Sequence, residues 1–127
     1  TLDLKIATAA VTEMRDAYSM FAPYKDRRKV SIFGSARTGA DDPLYDITSR
    51  LAATLAERGW MTVTGAGPGI MEGGMEGAGR ANSIGVSIRL PLETGANWII
   101  AGDEKHVSMK YFFTRNLMLI KESQGFV

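Results

Sequence analysis

The stretch Thr62-Val-Thr-Gly-Ala-Gly-Pro-Gly-Ile-Met-Glu-Gly-Gly-Met-Glu-Gly-Ala78 reads as a strand, a glycine-dense turn and the start of a helix in unbroken succession. Gly65, Gly67 and Gly69 alternate in the turn, and residues without Cβ allow unusual dihedrals and a close approach of backbone to ligand. A helix beginning near Gly69 or Ile70 aims unpaired N–H groups and its positive dipole end at whatever sits there. An anion, most often a phosphate, is the natural occupant. The alternative is a tight strand-to-helix connection with no ligand, which short glycine motifs also mark. In the helix that follows, Gly73, Gly74, Gly77 and Gly79 each cost about 1 kcal/mol relative to alanine. Close approach to the sheet, to a partner subunit or to a ligand would offset them. Met71, Met75 and Ala78 give this helix a narrow apolar stripe, and Glu72 and Glu76 near its start suit its dipole.

Upstream, Val30-Ser-Ile-Phe-Gly34 is a short β-branched strand that runs into a second small-residue turn, Ser35-Ala-Arg-Thr-Gly39. Asp42 can then cap a helix with Pro43 in its first turn. Ile47, Leu51 and Leu55 give that helix its apolar face, and Arg58-Gly59 closes it. Trp60 to Thr64 forms the strand leading into the central turn. Downstream, Gly85 to Leu90 alternates as a third strand, ended by Pro91. This β-α-β-α-β order with short connections predicts an α/β fold, a doubly wound parallel sheet with crossover helices. Ligands in such sheets gather beyond the carboxyl ends of strands, so both small-residue turns should face one crevice.

At the start of the chain, Leu2, Ile6, Ala10, Met14, Tyr18 and Phe21 mark an amphipathic helix that Pro23 ends. Tyr24 to Lys29 is a polar, basic connector. The chain therefore divides into an N-terminal helix with its connector, 1–29, and a partial nucleotide-binding domain, 30–127. Mixed rather than basic charge on the helix favours packing on the domain or on a subunit over membrane binding.

Leu92 to Lys105 reads as a loop with a short strand in Trp98-Ile-Ile-Ala101. His106 to Glu122 reads as one helix, apolar nearly all round and hence buried. Within it, Arg115 has Tyr111, Phe112, Met118 and Leu119 as neighbours three and four positions away. A permanent cation in that company requires a partner. A bound phosphate, a buried acid, or a polar edge where Thr114, Arg115 and Asn116 reach solvent would each serve. His106 reads as a surface or capping residue at the helix start. Arg89 either points into the crevice or sits on an exposed strand terminus.

With 127 residues, 45% of them hydrophobic and 23% charged, the composition suits one globular domain. A net charge of +1 gives no electrostatic footprint for nucleic acid. The absence of cysteine rules out disulfides and thiolate chemistry, and a single histidine makes a His-based metal cluster implausible. No apolar run approaches the ~20 residues of a membrane span, no signal peptide is recognisable, and the cytoplasm is the default compartment. Both ends read as cut. The chain opens on Thr1, and it closes on Gln124-Gly-Phe-Val127 just as an apolar run begins, so the expectation is that the parent protein continues or that processing or disorder removed the remainder.

Phe33-Gly-Ser35, Thr64-Gly-Ala-Gly-Pro-Gly-Ile-Met71 and Phe112-Phe-Thr-Arg-Asn116 followed by Ser123 to Val127 together resemble, in order and spacing, the LOG ("Lonely Guy") family. These are Rossmann-like phosphoribohydrolases of cytokinin riboside 5′-monophosphates, often mislabelled lysine decarboxylases. The resemblance spans Val30 to Val127, and the leading helix is similar to that of larger bacterial members. It implies cleavage of the N-glycosidic bond of a nucleoside 5′-monophosphate, such as AMP or a cytokinin riboside monophosphate, to free base and ribose 5-phosphate. No metal and no redox cofactor are implied, and a homodimer or higher homo-oligomer is.

Such cleavage develops oxocarbenium character on the sugar, which a carboxylate can stabilise while a cation anchors the ligand. The resemblance makes Arg115 the catalytic arginine of an Arg-Lys pair. It makes Gly34, Ser35, Gly65, Gly67, Pro68, Gly69, Phe112 and Asn116 substrate- or phosphate-binding, Phe112 standing where a pocket-lining methionine is common. Asn116 replaces the family's lysine. The Pro-Gly-Gly-x-Gly-Thr-x-x-Glu motif, with the catalytic glutamate, would begin past Val127, so this chain alone is expected to be inactive.

The competing expectation is a nucleotide-binding or carrier module without hydrolysis. An NAD dehydrogenase is disfavoured because the glycine turn follows the second strand, and Glu93 lies beyond the usual ~20-residue spacing of a ribose-binding acid. Lysine decarboxylation is rejected, since no lysine and ring-nitrogen partner for pyridoxal phosphate are marked.

Overall fold

Strands β1 (Lys29–Ser31), β2 (Met61–Thr64), β3 (Ser83–Ile88), β4 (His106–Met109) and β5 (Gly125–Phe126) form one sheet, every neighbouring pair parallel, in the order β4, β3, β2, β1, β5. They belong to a computed structural model that describes residues 1–88 and 96–127, the Phe112 side chain excepted. The register sets Val30 against Thr62 on one side and Gly125 on the other, Thr62 against Ser83, and Gly85 against His106. From β1 the chain steps outward through β2 and β3 to β4, then returns across the sheet to lay β5 on the far side of β1. The direction of winding thus reverses beside β1, and crevices in open α/β sheets form beyond the carboxyl ends of strands at such a reversal.

Helices α1 (Leu2–Phe21), α2 (Pro43–Glu57), α3 (Ile70–Ala78) and α4 (Phe112–Lys121) make the outer layers. Successive strand residues point to opposite faces, so β2 sends Met61 and Val63 one way and Thr62 the other. Ala17 and Phe21 of α1 and Met118 and Leu119 of α4 pack with Met61, Val63, Ile84, Val86 and Met109. On the opposite face, Ala52 of α2 and Ile70 and Ala78 of α3 pack with Val30 and Ile32.

Helix ends follow the local chemistry. The Thr1 hydroxyl accepts from Leu4 N at 3.2 Å to start α1. Asp42 accepts from Leu44 N at 2.9 Å with Pro43 in the first turn of α2, and Gly59 follows that helix at φ +87°.

The glycines of α3 have a packing reason. A Cβ on Gly73 would stand 3.2 Å from the Tyr45 ring, one on Gly74 3.0 Å from Ile32 Cδ1, and one on Gly77 would overlap the backbone carbonyl of Ser49. Bare Cα positions let α3 press directly onto α2 and, at Ile32 and Thr62, onto the sheet. The expected inner face of α2 holds in part: Leu55 packs against the core and Leu51 is half-buried, but Ile47 is 55% exposed. Tyr45 and Ala52 are buried in its place, because the side of α2 turned to the glycine-lined helix carries Tyr45 over Gly73 and the Ser49 backbone over Gly77.

The last helix is also shorter than its composition implies. His106 to Met109 is the edge strand β4, and α4 begins at Phe112. Lying across one face of the sheet, α4 buries Thr114, Met118 and Leu119 but leaves Phe113 and Ile120 more than half exposed, so it is not buried all round. Trp98 to Ala101 is a turn, not a strand, and tucks Ile99 and Ile100 against Ala66 and Met75. Leu2, expected on the inner stripe of α1, is 71% exposed. Arg89, Pro91 and Glu93 lie outside the described residues. Among the described residues, no helix is long and apolar enough to cross a membrane, and no cluster of three or more His, Cys, Asp or Glu could hold a metal ion.

Candidate functional site

The two small-residue turns are joined at the carboxyl edge of the sheet. Ile70 N, the first amide of α3, donates to Ser35 O at 3.0 Å. Gly69 has φ +76°, and a Cβ there would lie 2.7 Å from the backbone carbon of Ala36. Glycine is therefore needed twice over, for the dihedral and for the approach. Gly34 packs against Ile70, where a Cβ would come within 2.9 Å of Cγ1. Gly34 and Ser35 are exposed, and Ser35 Oγ accepts from Arg37 N at 3.0 Å, which fixes the first turn locally.

The second turn contains the one positive-φ non-glycine among the described residues, Ala66 at 64°. Side chains on both sides hold it there. Thr64 Oγ1 accepts from Ala66 N at 2.9 Å, Asn97 N donates to Ala66 O at 2.8 Å, and Asn97 Nδ2 donates to Gly67 O at 3.0 Å. A trans peptide sets its C=O and N–H on opposite sides. With the Ala66 carbonyl drawn to Asn97, the Gly67 amide therefore points away from Asn97. Outlying backbone of this kind, over-determined by its surroundings, clusters at ligand sites. Sequence reasoning missed Asn97, a lone polar residue in an unpatterned loop that carries no periodic or motif signal.

Arg115 enters this edge from α4. Its Nε donates to Val86 O at 3.1 Å, and its guanidinium lies against Gly65, where a Cβ would overlap Nη2 and sit 3.1 Å from Cζ. The Met71 thioether flanks the same spot, 3.1 Å from the place a Gly65 Cβ would take. The guanidinium is half-buried, and burial pushes its pKa down from the ordinary value, yet an arginine stays charged. Among the described residues, none of the ion pairs includes Arg115. A cation held by one backbone carbonyl, beside bare backbone at a strand end, is arranged to receive an anion.

The remaining candidates are less closely gathered. Pro68 is exposed in the second turn. Phe112 opens α4, and its side chain lies outside the described residues. Asn116 is exposed, about 100° further round the helix than Arg115. His106, read as a surface or capping group at a helix start, stands on β4 instead. Its Nε2 is 2.8 Å from Ser87 Oγ, and burial lowers its pKa, so the imidazole is neutral near pH 7. Gly85 makes room for it, with a Cβ there falling 3.2 Å from His106 Cδ2 and 3.0 Å from Ala66 Cβ.

A doubly wound parallel sheet, a strained glycine turn heading a helix, and an arginine laid against that turn define a Rossmann-like α/β protein with a candidate anion site. A model of the SLOG cluster4 family matches residues 27–127, and the chain belongs to that family, within the superfamily that includes LOG-like proteins. The X-ray structure of TM1055, a target of the Northeast Structural Genomics Consortium, is similar to this chain at 28% identity with a TM-score of 0.54. The match covers 78% of this chain and 58% of that one, so the chain spans little more than half of that structure's length. No curated protein matches. The family resemblance and the Rossmann-like architecture expected from the motifs are thus upheld.

Proposed function

We propose that the protein of which this chain forms the nucleotide-binding part hydrolyses the N-glycosidic bond of a nucleoside 5′-monophosphate, AMP or a cytokinin riboside monophosphate. The products are free base and ribose 5-phosphate. The observation that carries the reading is the Arg115 guanidinium lying against Gly65 with no carboxylate partner among the described residues. Arg115 holds the phosphate or ribose hydroxyls, Gly65, Gly67 and Pro68 bring backbone close to the ligand, Gly69 closes the turn onto Ser35 and Ala36, and Gly34 and Ser35 form the adjoining wall. Departure of the base leaves positive charge on the sugar, which a carboxylate stabilises while it orients water. The Pro-Gly-Gly-x-Gly-Thr-x-x-Glu motif that would supply this carboxylate is not among the 127 residues, so this chain alone binds without turnover.

A cytoplasmic homodimer or larger homo-oligomer belongs to the same proposal. Exposed apolar side chains on α2 and α4, Leu44, Ile47, Phe113 and Ile120, support self-association.

The second reading is a nucleotide-binding or carrier protein without hydrolysis. Asn116 favours it, because it removes one charge of the Arg-Lys pair. Incubating the full-length protein with AMP and isopentenyladenosine monophosphate and following release of free base separates the two. Release that is lost in Arg115→Ala supports the hydrolase. Binding without release supports the carrier. Neither binding nor release refutes both.

A further inference from the structure

The carboxylate of Glu13 reaches from α1 to the start of α4. Its Oε2 accepts from Thr114 Oγ1 at 2.8 Å, and its Oε1 accepts from the backbone amide of Lys110, in the link between β4 and α4. Thr114 is completely buried and immediately precedes Arg115. Tyr111, the N-cap of α4, makes no side-chain capping hydrogen bond. Glu13 therefore ties both the β4–α4 link and Thr114, in the first turn of α4, to a distant helix, and places a negative charge at the positive end of the α4 dipole.

We infer that Glu13 is a positioning residue for Arg115, fixing the rotation and depth of α4 so that the guanidinium meets the glycine turn. The inference rests on the reading of Arg115 as the anion-holding group. Its geometric basis is the narrowness of the seat. Arg115 Nε must stay within reach of Val86 O, now 3.1 Å away, while the guanidinium fills the space a Gly65 Cβ would occupy. A misplacement of about 1 Å in such a constellation can cost about a hundredfold in function. Docking of α1 does not itself require Glu13, because Ala17 and Phe21 are fully buried against the sheet. The residue also lies outside the 27–127 segment that the family model matches, so α1 adds this control to a site built by the family's own segment.

The test compares wild-type protein with Glu13→Ala, Glu13→Gln and Arg115→Ala, alone and combined. In NMR spectra, the Arg115 Nε–H resonance reports its bond to Val86 without any ligand. Glu13→Ala should shift it and speed its exchange with water, and Glu13→Gln, which can still accept from Lys110 and donate to Thr114, should restore it. In AMP titrations, Glu13→Ala should weaken binding about five- to tenfold, comparable with one ordinary hydrogen bond, and should add nothing in the Arg115→Ala background. An unmoved Arg115 resonance, or an equal loss of affinity in both backgrounds, overturns the inference. If wild-type protein binds no AMP, the functional reading fails, and the Arg115 resonance alone still decides the role of Glu13.

Discussion

Replacing Gly77 by alanine should force α2 and α3 apart. The new methyl would overlap the Ser49 carbonyl oxygen and stand 2.6 Å from its carbon and 2.8 Å from Ser49 Cα. These are backbone atoms in mid-helix, so relief requires α2 as a whole to retreat by about 1.5 Å before ordinary contact distances return. Overpacking of this kind costs about 1–3 kcal/mol, with a rigid neighbour placing it at the upper end. Alanine returns about 1 kcal/mol through its better helix propensity. The net loss is about 1–2 kcal/mol, which for a chain this size lowers Tm by about 4–8 °C.

Gly73→Ala is the internal control. Its Cβ would meet only the Tyr45 ring, at 3.2–3.4 Å. A ring can yield a few tenths of an ångström, so the propensity gain should leave that variant within about 0.5 kcal/mol of wild type. Urea unfolding of the three proteins, followed by far-UV circular dichroism, measures the differences. A Gly77→Ala protein as stable as wild type, or two variants equally destabilised, would refute the close α2–α3 contact as the reason for these glycines.

Gly65→Ala meets the mobile tip of Arg115 rather than backbone, so it should barely change the unfolding midpoint yet weaken AMP binding severalfold by displacing the guanidinium. Isothermal titration beside a melting curve checks both halves, and unchanged affinity would remove Arg115 from the site. Arg115→Ala should itself weaken AMP binding about tenfold or more, by loss of a charge-assisted contact, with the circular dichroism spectrum retained. His106 resists protonation in the folded state, so its contribution is fully present above the ordinary histidine pKa. It is lost as pH falls through about 6.5 toward the lowered folded value. Wild-type protein should therefore lose more stability than His106→Gln between about pH 7 and 5, and parallel stability curves would contradict the burial of the imidazole.

The parallel sheet was legible because its signals are local. Short β-branched runs ending in glycine turns mark β1 and β2, and Asp42-Pro43 and Gly59 bracket α2. The inner face of α2 was legible only in part, at Leu51 and Leu55, because hydropathy ranks Ile47 above Ser49 and Ala52, while Gly77 draws the backbone of Ser49 inward. His106 to Met109 was absorbed into the helix that follows, since four residues of alternation are too few to show beside ten of helical period. The coming together of Arg115 and Gly65 could be anticipated only as two residues each needing a partner. Glu13 and Asn97 act through contacts far apart in sequence, which no window of residues displays.

The pairing of β1 with β5 has a kinetic meaning. Lys29 N is bonded to the Gln124 side chain across 95 residues of chain. That junction closes the largest loop in the sheet, and contacts of such sequence separation are slow to form. While the chain is being synthesised, the outer rim of β1 stays bare until Gly125 and Phe126 have left the ribosome, exposing a ready template for stray strands during that interval.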